Sequence, residues 1–189
     1  MRTTRPRCLL VDANIVIETH KLKVWEPLCH SYEVAAPSIV IRDEARIYFK
    51  ERHYQGFPIL LQQQVKEGSI KEWEISKEEK TKLLANFDAI TRLTKLDPGE
   101  IEALACLNTR REQDVAFSTA DKAAIQALAM LDMTNLGLSL EAALKAIGLN
   151  KTLTHEYRDD YFQKHLKIGF ENRLTGKGLS PDSRYRIKT

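Results

Sequence analysis

Short unbroken apolar runs alternate along the chain with longer stretches in which apolar positions recur at three- and four-residue intervals. Cys8 to Val11 is such a run, closed by Asp12, which is the pattern of a central strand buried on both faces of a parallel sheet. Asn14 to about Ser31 predicts a helix, Val34 to Pro37 a second strand, and Ser38 an N-cap for a helix reaching about His53. A further helix follows Gly56 and Pro58 and runs to Glu67. Ile70 to Ile75 alternates as a partly exposed strand does, and Ser76 with Glu79 starts the next helix as a capping box. Asp97-Pro98-Gly99-Glu100 opens another helix, Asp114 to Ser118 is an apolar strand, and Thr119 to Met130 a helix. Met133 to Leu138 predicts a weak last strand before the amphipathic Leu140 to Ile147. The alternation predicts a three-layer α/β domain over residues 1–150, a central parallel sheet flanked by helices. Over residues 151–189 the character changes: a docking helix from His155 to Phe170 carries Tyr157, Tyr161, Phe162 and Leu166 on or near one face, and a loose basic tail follows.

Four acids stand where a strand ends or a helix begins, the edge at which α/β sheets place their chemistry: Asp12, Glu44, Glu100 and Asp121. Each has a structural explanation of its own. Asp12 suits an N-cap. At about 100° per residue, Glu44 falls inside the stripe of Ile41, Ala45, Tyr48 and Phe49, where a carboxylate needs a cationic partner, either a buried Arg or Lys or a metal; neighbouring Asp43 points the other way. Glu100 completes a capping box with Asp97, and it lies nearer the stripe of Ile101, Leu104 and Ala105 than Glu102 does. Asp121 is favoured by the helix dipole, and Thr119 either caps the same turn or orients the carboxylate. Independent caps do not require convergence on one sheet edge, whereas carboxylates gathered around a divalent ion do.

Composition removes several alternatives. The chain holds 29 basic and 26 acidic residues. Residues 151–189 contribute nine Lys/Arg against five Asp/Glu, so the net +3 belongs to the tail. Cys8, Cys29 and Cys106 form no CxxC and have no nearby His pair, which argues for reduced thiols rather than a zinc site or a disulfide framework. Asp12 and Asn14 interrupt the first apolar run, and no apolar stretch reaches the roughly 20 residues of a membrane span, so the protein is expected to be soluble and cytoplasmic. No GxGxxG follows the first strand and no GxxxxGK[ST] occurs, which excludes the usual nucleotide-binding signatures. An aspartyl-phosphate site would need an acid where Asn14 stands.

Val11-Asp12-Ala13-Asn14, the segment Ile41-x-x-Glu44, Pro98-Gly99-Glu100-x-Glu102-Ala103 and Ser118-Thr119-Ala120-Asp121 resemble, in order and spacing, the successive motifs of PIN-domain nucleases. The likeness spans about residues 7–148, and the Gly-Glu third motif resembles one subgroup. It implies a PIN-like fold with Asp12, Glu44, Glu100 and Asp121 as ligands of one or two Mg²⁺ or Mn²⁺ ions, supported by Asn14 and Thr119. The implied activity is metal-dependent endoribonuclease hydrolysis of RNA, in many relatives as a toxin held by a small antitoxin-like partner, and the implied assembly is a homodimer. Hard oxygen ligands suit these ions, which activate water and bridge carboxylates to phosphate. Glu100 replaces the more usual Asp, and Lys122-Ala123-Ala124 lacks the further acid of some relatives, which favours a single ion. Lys122, Arg42, Arg46, Arg110 and Arg111 are the basic residues expected to draw RNA toward the acids. The competing reading is a PIN-like module that binds RNA or protein without turnover.

Overall fold

A computed structural model describes residues 6–49, 55–89, 91, 96–110 and 114–186, the side chains of 184–186 excepted. Its strands are β1 (Cys8–Val11), β2 (Glu33–Pro37), β3 (Ile47–Phe49), β4 (Gly56–Pro58), β5 (Lys71–Trp73) and β6 (Val115–Ser118). Four of them form a parallel sheet in the order β5-β2-β1-β6, and β3 and β4 pair as an antiparallel hairpin. The helices are α1 (Ala13–Lys21), α2 (Trp25–Ser31), α3 (Leu61–Lys66), α4 (Lys77–Leu84), α5 (Pro98–Thr109), α6 (Lys122–Met130), α7 (Leu140–Ala146), α8 (Asp159–Thr175) and α9 (Pro181–Arg186).

Strand alternation sorts the core into two layers. Leu10 and Phe117 face one side, where they meet Leu83 of α4, Ile101 and Leu104 of α5, Ile125 and Leu128 of α6 and Phe162 of α8. Leu9, Val11 and Ala116 face the other, with Ile15 of α1, Leu28 of α2, Leu61 of α3 and Leu140 of α7. Covering both faces is what the unbroken apolar runs require. Leu9 and Leu10 are both fully buried, so truncating either to Ala opens a cavity in a different layer at a cost of about 2–5 kcal/mol. This is the three-layer α/β arrangement expected for a PIN-like fold.

Sheet order creates the position for a site. The chain runs outward from β1 through β2 to β5, then returns to place β6 on the other side of β1. The crevice beyond the carboxyl ends of β1 and β6 is therefore a topological switch point. Val11 pairs with Ser118 there, and the next residues of the two strands are Asp12 and Thr119.

Several elements differ from expectation. The segment from Asn14 to Ser31 is two helices, parted at Lys23, whose φ of 57° is left-handed. The helix expected from Ser38 lasts barely a turn: over Val40–Glu44 it widens so that the Ala45 amide reaches the Val40 carbonyl at 3.0 Å. Ile47, Tyr48 and Phe49 then leave as β3, because a β-branched and aromatic triplet suits a strand and Gly56–Pro58 supplies its partner. Residues 50–53 of that expected helix lie outside the described residues. The expected strand Met133 to Leu138 is instead a 3₁₀ turn, Thr134–Leu136, with one parallel bridge between Phe117 and Gly137.

Nor is the end of the chain loose as far as it is described. α8 extends to Thr175 and stops at Gly176, φ 71°. Leu179 bridges to Phe87, and the Ser180 amide bonds the Asn86 carbonyl at 2.9 Å. Among the described residues no helix is long and apolar enough to cross a membrane.

Candidate functional site

β1 ends because Asp12 caps α1: its backbone is extended, and Oδ1 accepts the Ile15 amide at 2.9 Å. Its other oxygen, Oδ2, accepts the Thr119 hydroxyl at 2.5 Å across the β1–β6 crevice. Thr119 Oγ1 accepts the Asp121 amide in turn, at 3.1 Å. Asp121 caps α6 with Oδ1, which takes the amides of Ala123 and Ala124 at 2.5 and 3.1 Å. Thr119 thus braces the Asp121 turn, one of the roles that the sequence allowed it, but the carboxylate it orients is that of Asp12 rather than of Asp121.

Glu100 approaches from α5. Its Oε2 accepts the Asp97 amide at 3.0 Å within a capping box, and Pro98 opens the helix. The residue is 7% exposed and Asp12 3% exposed. Burial pushes the Asp12 carboxyl up to about 6, opposed by the donors of Thr119 and Ile15 and reinforced by the charges of Asp121 and Glu44. Burial, followed by the charges of Asp121 and Asp12, also holds Glu100 well above the ordinary carboxylate range. Asp121 therefore lies close enough to Asp12 and Glu100 for its charge to disfavour their ionisation.

Glu44 joins them differently from expectation. It ends the widened turn, is exposed as a residue rather than set in a buried stripe, and turns its carboxyl onto the start of α5, where Oε1 accepts the Gly99 amide at 3.1 Å. Ile41 and Ala45 are buried as the stripe required, but Phe49 is 56% exposed because the helix has already become a strand. Partial desolvation raises the Glu44 carboxyl, as do the charges of Asp97, Glu102 and Asp43. Glu102, from α5, makes the reverse connection: its Oε2 accepts the Ile39 amide at 2.9 Å.

Hydrogen bonds among the described residues engage one oxygen each of Glu44, Glu100 and Asp121. Among those residues, no three His, Cys, Asp or Glu side chains are already gathered as a metal-binding group. The donor set nevertheless fits a hard divalent ion, since it is all oxygen, and a cation would relieve the repulsion that raises Asp12 and Glu100. Asn14 is exposed in the first turn of α1.

The basic residues divide. Lys122 is exposed beside Asp121, and Arg46 is exposed two residues after Glu44. Arg42 is turned away to Glu72 and Glu74 at 2.6 and 2.7 Å. Arg110 lies over the Trp73 ring, 4.4 Å from its centroid, at the far end of α5, about 15 Å along the helix from Glu100. Arg111 lies outside the described residues. A recess of about 590 Å³ lined by Asn86, Met130, Asp132 and Arg173 sits at the C-terminal end of α6, away from the carboxylates.

Sequence reading missed the contribution of the C-terminal element. Burial comes first in raising the Tyr157 hydroxyl, and Glu18 and Asp12 contribute; burial and then Asp121 raise Tyr161. Both tyrosines therefore stand within electrostatic reach of the crevice. Their apolar periodicity was visible, but which helix α8 would cover was not. Comparison with protein-family models, curated proteins and solved structures finds no match to the chain.

Proposed function

We propose that the chain is a metal-dependent endoribonuclease of PIN-like type, acting in the cytoplasm. The observation carrying this reading is the Asp12–Thr119–Asp121 chain of hydrogen bonds across the sheet's switch point, with Glu100 buried beside it and its ionisation disfavoured by burial and like charge. Folding three acids into one crevice is unfavourable without a cation, and helix caps alone give no reason for two of them to be buried.

Asp12, Glu100 and Asp121 would hold a Mg²⁺ or Mn²⁺ ion, with Glu44 at its margin and Asn14 at the rim. Such an ion, when bound, supplies Lewis-acid activation of water and charge stabilisation at phosphate. Thr119 and the Ile15 amide between them engage both Asp12 oxygens and so hold the carboxylate in place at the crevice. The capping bonds of Asp121 and Glu100 fix those side chains on rigid helix ends, so little ordering remains to be done when the ligands are engaged. Exposed Lys122 and Arg46 would meet the RNA backbone. An antitoxin-like protein partner and a homodimer follow from the family resemblance alone.

The competing reading, a binding module without turnover, has its own support: all four acids accept backbone amides at helix starts, so every one has a structural occupation. Incubating the protein and Asp12→Asn with end-labelled RNA, in Mn²⁺ and in chelator, separates the two. Mn²⁺-dependent cleavage lost in Asp12→Asn supports hydrolysis. Intact RNA throughout, with a melting temperature indifferent to Mn²⁺, supports the binding module.

A further inference from the structure

Three rings stand in a row where α8 meets α6. The His155 and Tyr161 centroids are 5.1 Å apart, edge to face, and those of Tyr161 and His165 are 4.3 Å apart. His155 is exposed, and Tyr161 and His165 are half-buried, so the row presents ring surface to solvent. Gln126 of α6 holds the row in place, its Nε2 lying 3.2 Å from His165 Nδ1. Gln126 is five residues beyond Asp121 on the same helix, about 7 Å along its axis.

The row is fixed at its base. Ser139 donates to Asp159 Oδ1 at 2.9 Å, and the Asp159 amide bonds Glu141 Oε2 at 2.8 Å. Phe162, 1% exposed, and Leu166 supply the burial that docks α8. Tyr161 packs against that core, and it and His165, one turn apart on the flank of the contact, remain only half-buried. Lys122 and Lys164, both exposed, stand close enough to influence His165. Aromatic faces beside ammonium groups are the usual means of holding single-stranded nucleic acid, since every base has a π-face and every phosphate a charge.

We propose that His155, Tyr161 and His165 form a stacking surface for unpaired RNA bases, with Lys122 and Lys164 contacting the flanking phosphates and leading a single strand into the Asp12–Asp121 crevice. This deepens the nuclease reading and rests on it for the nature of the ligand. Duplex RNA keeps its bases stacked internally and cannot use the surface.

The test is binding, independent of cleavage. The full chain carrying Asp12→Asn is titrated in Mg²⁺ with a short RNA bearing 2-aminopurine, and with a strand of the same length made abasic at its central positions. Binding should quench 2-aminopurine fluorescence. Tyr161→Ala should weaken the base-bearing strand on the order of tenfold and leave the abasic strand unchanged, while Tyr161→Phe binds within about twofold of the parent. If Tyr161→Ala fails to fold, exposed His155→Ala provides the same comparison. Equal loss on both strands, no loss on either, or no RNA binding by the parent overturns the proposal. Base-dependent binding without cleavage by the Asp12 protein would remove the hydrolytic reading and leave this surface standing; cleavage that survives with base-independent binding would do the reverse.

Discussion

A Cβ built on Gly99 would lie 2.1 Å from Glu44 Oε2, so Glu44 occupies the volume that any other residue's side chain would fill at this turn of α5. The contact explains the glycine of the third motif by close approach rather than by backbone conformation, and it makes Glu44 and Gly99 one unit. The Gly99 amide is one of the donors that a helix start leaves unpaired, and Glu44 satisfies it from another element.

Gly99→Ala should therefore act on Glu44 more than on the fold. The atom in the way is the far end of an exposed side chain, which can swing out, and alanine is the better helix former by about 1 kcal/mol. The melting temperature should move little, while Mn²⁺ affinity and any cleavage fall on the order of tenfold, as in Glu44→Gln. Combining the two substitutions should add nothing further. Additive losses in that cycle would show that Gly99 serves some other purpose.

Thr119 is the second residue whose removal should be specific. Thr119→Val keeps the shape but deprives buried Asp12 of a hydroxyl donor and the Asp121 amide of its acceptor, at a cost of about 1–3 kcal/mol. Thr119→Ser restores both bonds and should recover most of the loss in urea denaturation at pH 8. A serine variant as unstable as the valine one would place Thr119's value in its methyl packing instead.

A third expectation concerns pH. Asp12 is raised to about 6 in the folded chain against about 3.9 unfolded, so the folded state binds the proton more tightly. Its stabilising contribution is complete below the unfolded value and is lost as pH rises through about 6. The difference corresponds to roughly 3 kcal/mol at most, with Glu100 acting in the same direction. In chelator the protein should thus gain stability as pH falls from 7.5 to 5, and Asp12→Asn should flatten that gain. Saturating Mn²⁺ should reverse the slope, because ligands bind metal deprotonated. A wild-type profile that is flat in chelator would mean that Asp12 is ionised and compensated throughout.

How much of this was legible depends on whether the signal is local. β1 and β6 announce themselves as unbroken apolar runs, and the caps at Asp12, Ser76 and Asp97 follow from neighbours three residues on. Glu44 shows the limit. Residues 41–49 satisfy a helical stripe, yet Ile47 to Phe49 also suit a strand, and the decision rests with a partner strand about ten residues downstream. Arg42 looked free for RNA because nothing nearby in sequence reveals Glu72 and Glu74 beside it. The ring row of His155, Tyr161 and His165 is itself local, but its placement near Asp121 was illegible for the same reason: it depends on α8 lying across α6.

That crossing is tight at Gly169, which permits a last prediction. A Cβ on Gly169 would fall 2.3 Å from the Gln126 carbonyl oxygen and 2.8 Å from its Cα. These are backbone atoms of α6, so relief requires moving a helix rather than a side chain. Gly169→Ala should cost about 1–3 kcal/mol despite alanine's higher helix propensity, lowering the melting temperature by roughly 3–10 °C for a domain of this size. Exposed Lys167→Ala, on the same helix, should change it by little. Because Phe162 shares a core with Ile125 and Leu128, the loss should appear as one cooperative transition shifted as a whole. An early separate transition, with the main one unmoved, would mean that α8 detaches on its own.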